Sequence, residues 1–184
     1  ITEEGYAETD VLHPTSREKV LFYLVQIPFG IQKMSGNIEG LVETSTNIGI
    51  VKLSDDEFFA RSSVRSSVEV ARDALSDKIQ YLTEFLGGEY EIQGAYPAWE
   101  YRKDSPLRDK MVSVYEEMYG QKPEVVAIHA GLECGLFYKK IESLDCVSLG
   151  PNMKDIHTSE EVLDIASTER VWNYLVKVLE QLKD

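Results

Sequence analysis

Two short apolar runs, VVAI at 125–128 and CVSL at 146–149, constrain the fold of this chain most strongly. Each is too short for a buried helix, carries valine or isoleucine, and runs into a polar turn containing glycine, which is the pattern of a buried strand. Each turn carries a histidine: His129 in HAGLECG, and His157 in GPNMKDIHTSEE. In an open α/β sheet, ligand and metal sites collect just past the carboxyl ends of such strands. A histidine a few residues from Asp or Glu on one of these loops has the donor chemistry for a metal. A merely solvated loop histidine has the same appearance in sequence.

The rest of the chain supplies elements to flank that sheet. Thr15 or Ser16 is placed to cap a helix, with Glu18 close behind, and the apolar run from Val20 predicts a helix buried nearly all round that ends near Pro28. Residues 42–53 and 58–68, separated by the polar turn at 54–57, read as an antiparallel hairpin. Two-residue alternation places Arg61, Ser63 and Arg65 on one face of the second strand. Val68, Ala71, Leu75, Ile79, Leu82 and Leu86 then recur every three or four residues, predicting an amphipathic helix closed by Gly87-Gly88. A short strand is expected at 89–93. After GAYPAW at 94–99, Ser105-Pro106 opens a helix with Met111, Tyr115 and Met118 on its apolar stripe. Ser167 is the expected cap of a last helix whose core face is Val171, Leu175, Val178 and Leu182. Strands alternating with helices over residues 95–184 imply a partly parallel α/β layer.

With 32 acidic against 19 basic residues in 184, the net charge is -13. Such a surface repels phosphate backbones and anionic lipid, which argues against nucleic-acid or membrane partners. No apolar run approaches the roughly 20 residues that span a bilayer, and a cytoplasmic protein is expected. Cys134 and Cys146 lie in apolar contexts without CxxC spacing and read as reduced, packed thiols rather than as a disulfide or a zinc thiolate.

Four phrases carry a family resemblance: VETSTNIG at 42–49, GAYPAW at 94–99, IHAGLECGLF at 128–137, and SLGP at 148–151 followed by HTSEE at 157–161. In order and spacing they resemble the C-terminal part of aminoacyl-histidine (Xaa-His) dipeptidases, of the two-zinc peptidase group that includes carnosinases and carboxypeptidase G. The resemblance runs from about residue 37 to the end and is loose before it. It implies an α/β fold in two parts. Residues 1–94 would be a partial lid or dimerisation domain, a ferredoxin-like βαββαβ unit lacking its first strand. Residues 95–184 would be the C-terminal portion of the catalytic domain. Because the match begins midway through the family's sequence and the chain opens on Ile1 without methionine, a fragment is expected.

The same resemblance implies the site residues. His157 falls where the family places its last zinc ligand. Arg65 falls where relatives carry the arginine that grips the substrate's free carboxylate, a task suited to a planar fork; Arg61 is its neighbouring competitor, and a solvated surface arginine is the plain alternative. Asn47 would hydrogen-bond substrate in the same cleft, or else mark a bulge. His129, Gly131 and Glu133 would border the substrate, with Gly131 presenting backbone amides, although ordinary loop packing accounts for both side chains equally well. Asp155, Glu160 and Glu161 read as supporting groups or simply as the acidic start of a turn. The remaining metal ligands and the general base would lie upstream, so the fragment alone is expected to be inactive. The expectation is therefore a zinc-dependent dipeptidase, two zinc ions per intact site, acting on Xaa-His dipeptides as a homo-oligomer. A non-catalytic dimerisation fragment and a related aminopeptidase or deacylase are the alternatives.

Overall fold

The computed structural model describes Gly5, residues 10–129 and residues 132–183. The chain divides into two compact units, Ile1–Ala95 and Tyr96–Asp184. It is an α/β protein in the broad sense, with helices and small antiparallel sheets.

The first unit runs α1 (Pro14–Gln26), β1 (Gly30–Met34), β2 (Val42–Leu53), β3 (Phe58–Ser66) and α2 (Glu69–Phe85), with the antiparallel sheet ordered β1-β2-β3. The β2–β3 hairpin closes through the Ser54 amide to the Glu57 carbonyl, 2.9 Å. Its inner face packs Ile48, Phe58, Ala60 and Val64 against Tyr23, Ile27 and Ile79 of the helical layer. The helix α2 ends in left-handed Gly87 (φ +84°), and the Lys19 ammonium donates to the Leu86 carbonyl at 2.7 Å. Carbonyls left over in the last turn thus gain a cation.

Three expectations for this unit need correction, and one strand was missed. His13, not Thr15 or Ser16, caps α1, its Nδ1 accepting from the Thr15 amide at 3.3 Å while Pro14 takes the first helical position. The helix is not buried all round: Leu21, Phe22 and Val25 are exposed, because only the side bearing Tyr23 meets the sheet. The strand expected at 89–93 is absent. Instead the segment is tied back to α2 by the Tyr90 and Ser76 hydroxyls, 2.6 Å apart, and Tyr90 packs on the core. Finally, β1 is an edge strand that the sequence reading passed over, since its largely exposed GIQKM has no buried alternation to reveal it. Of the helix–strand–strand–helix–strand order expected for the βαββαβ pattern, α1, β2, β3 and α2 are present, β1 intervenes between α1 and β2 and pairs with β2, and the closing strand is missing.

The second unit comprises α3 (Pro106–Tyr119), α4 (Glu133–Lys140), β4 (Met153–Lys154), β5 (Val162–Leu163) and α5 (Ile165–Gln181). Its core is the α3–α5 contact, where Met111 and the fully buried Val114 meet Tyr174 and Val178. The Tyr174 hydroxyl donates to the Met111 carbonyl at 2.7 Å, so burying the phenol leaves no polar atom unpaired. The Ser105 hydroxyl caps α3, accepting from the Arg108 amide, and left-handed Gly120 ends it.

The partly parallel layer is not found among the described residues. The runs at 125–128 and 146–149 are irregular, and Val125, Val126 and Ile128 are exposed. A parallel strand exists only beside hydrogen-bonded neighbours with both faces covered, and no described strand lies against either run. The cap of α5 is Asp164, whose carboxylate accepts from the Ser167 amide at 3.0 Å. Ser167 sits inside the helix, its hydroxyl accepting from the Asn152 amide at 2.8 Å. Tyr174 joins Val178 in the buried stripe of α5, whereas Leu182 is exposed.

Candidate functional site

Pairing in the hairpin gathers one polar group. Ser45 stands opposite Arg65 and Asn47 opposite Ser63, so all four share the outer face of the sheet. Asn47 and Arg65 are diagonal cross-strand neighbours, a relationship that places side chains about 7–8 Å apart at their bases. Both are exposed. The strand irregularity lies between Ile48 and Ile50, two residues past Asn47, which keeps regular register. Arg61 is engaged differently: its guanidinium carbon lies 5.7 Å from the centre of the Phe59 ring on the same face. The arrangement offers an amide and a guanidinium to one ligand, chemistry that suits a carboxylate.

In the second unit, His129 is half-buried in the segment preceding α4. Gly131 lies outside the described residues. Glu133, expected in a loop, is the exposed first residue of α4, where its charge favours the helix N-terminus. What fixes α4 is Gly135. A Cβ built there would fall 2.8 Å from the Pro97 carbonyl oxygen and 3.5 Å from Trp99 Cβ, so only glycine permits this approach. The GAYPAW and HAGLECG phrases, distant in sequence, therefore meet in contact. Beside them, burial first and then the adjacent Cys134 thiol and Asp145 push the Cys146 thiol up to about 11, against a hydrogen bond to Trp99. Both cysteines are free thiols, and Cys146 is a protonated packing group at neutral pH.

His157 occupies the tip of the β4–β5 hairpin, exposed, with φ +68°; Asp155 shares the left-handed region at φ +52°. The turn is laced locally. The Thr158 amide and hydroxyl both donate to the Asp155 carbonyl, at 3.2 and 2.7 Å. The Glu161 amide donates to the Thr158 carbonyl at 3.3 Å, and the His157 amide donates to Glu161 Oε2 at 2.8 Å. Glu161 thus has a defined task at the histidine. An acidic residue four positions on was the only sequence signal of it. A cleft of about 340 Å³ beside the hairpin is lined by Asn152, Lys154, Val162, Leu163 and Asp164 and does not include the histidine. Among the described residues no three His, Cys, Asp or Glu side chains converge as a metal cage. His157 fits a single donor position, an exposed imidazole on a braced turn, and the chain's described residues alone do not fit a complete centre.

Comparison with known proteins bears on the chain as a whole. Residues 4–181 match the model of peptidase family M20/M25/M40. The chain is 32% identical over 167 residues to the cytosol non-specific dipeptidase of Escherichia coli K12, covering 91% of this chain and 34% of that protein. The crystal structure of aminoacylhistidine dipeptidase from Vibrio alginolyticus superposes with a TM-score of 0.86 at 32% identity, over 98% of this chain and 37% of the other. Aminopeptidase PepT from Bacillus cereus matches in fold alone, with a TM-score of 0.68 at 15% identity over 92% of this chain and 46% of that one. The chain thus spans about a third of the length of the dipeptidases it matches. A family model matching nearly end to end, together with 32% identity over nine-tenths of its length, makes this chain a member of peptidase family M20/M25/M40.

Proposed function

We propose that this chain is the C-terminal part of a cytoplasmic, zinc-dependent dipeptidase that hydrolyses Xaa-His dipeptides. The observation that carries the reading is the match over 98% of the chain to an aminoacylhistidine dipeptidase at 32% identity. The outer face of the hairpin supports it. In this reading Arg65 pairs with the free carboxylate of the dipeptide and Asn47 hydrogen-bonds its backbone, which together measure substrate length. His129, Gly131 and Glu133 border the substrate pocket. His157 donates its imidazole to one of two zinc ions, with the other ligands and the general base contributed by polypeptide outside this chain. Zinc, when bound, polarises a scissile carbonyl and acidifies a bound water. Among the described residues no helix is long and apolar enough to cross a membrane.

The test is hydrolysis of a dipeptide panel by the full-length polypeptide that carries this segment, with and without chelator. Chelator-sensitive cleavage of Ala-His and Gly-His, in preference to tripeptides, is expected. Hydrolysis that survives thorough metal removal, or indifference to a C-terminal histidine, overturns the zinc and Xaa-His assignments respectively.

A second reading rests on one feature. The outer edge of β3 has no partner strand among the described residues, and open edges recruit other chains. The segment then serves as a dimerisation module of a homo-oligomer. Light scattering that gives a monomer at high protein concentration removes this reading and leaves the first intact.

A further inference from the structure

The geometry points to Glu161 as the positioning residue of His157, fixing the backbone from which the imidazole projects. This inference rests on the reading of His157 as a metal ligand. A histidine at φ +68° occupies a region that side-chain-bearing residues enter uncommonly, and it stays there only if its surroundings over-determine it. Here the His157 amide is the group that must be held, since its direction fixes the Cα–Cβ vector and so the reach of the ring. Glu161 Oε2 accepts that amide at 2.8 Å, within the short range of charge-assisted bonds.

Both partners are exposed, so water competes, and one such bond in isolation holds little. It does not act in isolation. The Glu161 amide is itself tied to the Thr158 carbonyl, and Thr158 to the Asp155 carbonyl through amide and hydroxyl, so the carboxylate is delivered by the turn that it closes. The Glu160 amide adds a bond to the Thr158 hydroxyl at 3.2 Å. Five bonds within seven residues close the ring around one histidine. A carboxylate that serves the ligand's own backbone, rather than its ring, orients the donor without drawing on either imidazole nitrogen, leaving both for metal and second partner.

The test uses zinc alone as probe, titrated against a competing chromophoric chelator, on the full-length polypeptide. Glu161→Ala is expected to weaken the zinc site about 10–100-fold, the usual range for a group that orients a ligand. Glu161→Gln, which keeps an acceptor oxygen but is a poor metal donor, should recover most of the affinity; a Gln variant as weak as Ala means Glu161 is itself a ligand and overturns positioning. In a His157→Ala background, Glu161→Ala should cost nothing further. A second readout is independent of metal: in this 184-residue chain the His157 amide resonance should exchange faster and shift in Glu161→Ala but not in Glu161→Gln. If His157→Ala lowers zinc affinity while Glu161→Ala does not, the positioning role is wrong and the ligand reading stands. If His157→Ala leaves zinc binding unchanged, the ligand reading itself fails, whatever the amide shows.

Discussion

The carboxylate of Asp145 reaches back to Ser105, accepting from its hydroxyl at 2.7 Å and, through the other oxygen, from the Leu107 amide at 2.9 Å. It thereby anchors the start of α3 to the segment after α4. Burial alone would raise the carboxyl's pKa, but the Ser105 and Leu107 bonds, with Arg102 and Arg108 nearby, outweigh it and hold the group below the ordinary carboxylate value.

A pH prediction follows from that sign. A lowered folded pKa means that the unfolded chain binds the proton more readily, so the stabilisation is complete above the unfolded value of about 3.9 and is lost as pH falls through the lower folded one. Asp145→Asn should cost about 1–2 kcal/mol at pH 6, from weakened bonds at the N-terminus of α3. In urea titrations the difference between wild type and variant should shrink below about pH 4; a constant difference from pH 6 to pH 3 contradicts the assignment.

Gly135 should resist substitution for purely steric reasons. With the Pro97 carbonyl oxygen 2.8 Å from any Cβ, Gly135→Ala must displace backbone, at a cost of about 1–3 kcal/mol. Gly49→Ala is the matched control, since nothing lies within 4 Å of its Cβ position. Its effect should stay within about 0.5 kcal/mol. Equal effects in chemical denaturation count against the packing argument.

For Arg65, the expectation follows from the proposed dipeptidase reading and concerns the full-length polypeptide. A carboxylate–guanidinium pair contributes on the order of 1.5–3 kcal/mol, so Arg65→Ala should lower kcat/KM roughly 10–100-fold on dipeptides. Arg65→Lys should restore only part, lacking the planar fork. Loss should be much smaller on a dipeptide amide, which has no carboxylate to grip. Equal losses on acid and amide substrates transfer attention to Arg61.

In the proposed reading the other metal ligands and the general base come from polypeptide outside this chain, so the 184-residue chain on its own should not turn over Ala-His. Activity of the purified chain that persists after metal repletion and repurification would show that the centre is complete within it.

What was legible in the sequence was what local period records. The stripes of α2 and α3 and the alternation of the hairpin depend on neighbours a few residues away, and they emerged where expected, including the shared face of Arg61, Ser63 and Arg65. The runs at 125–128 and 146–149 failed because apolar composition states a wish for burial but not the identity of a partner, and strand pairing is non-local. Caps moved by two or three residues, to His13 and Asp164, since several polar side chains near a helix start can accept the same amides. His157 was legible as a loop histidine with acidic company. Glu161's service to its amide was not, because that bond depends on a left-handed backbone that nothing in the residue types HTSEE announces.

The irregularity at Gly49 has one more effect. Before it, Thr44, Thr46 and Ile48 stand opposite inward-facing residues of β3; after it, Val51 and Leu53 do, opposite Ala60 and Phe58. One inserted residue resets the parity of the strand. The hairpin therefore changes phase at one residue, with a distal arm carrying the 54–57 turn and a proximal arm carrying Asn47 and Arg65. A bulge bends and twists the strand that carries it, so the distal arm takes its own course from Gly49 on, while Asn47 and Arg65 stand as diagonal neighbours in the regular register before it.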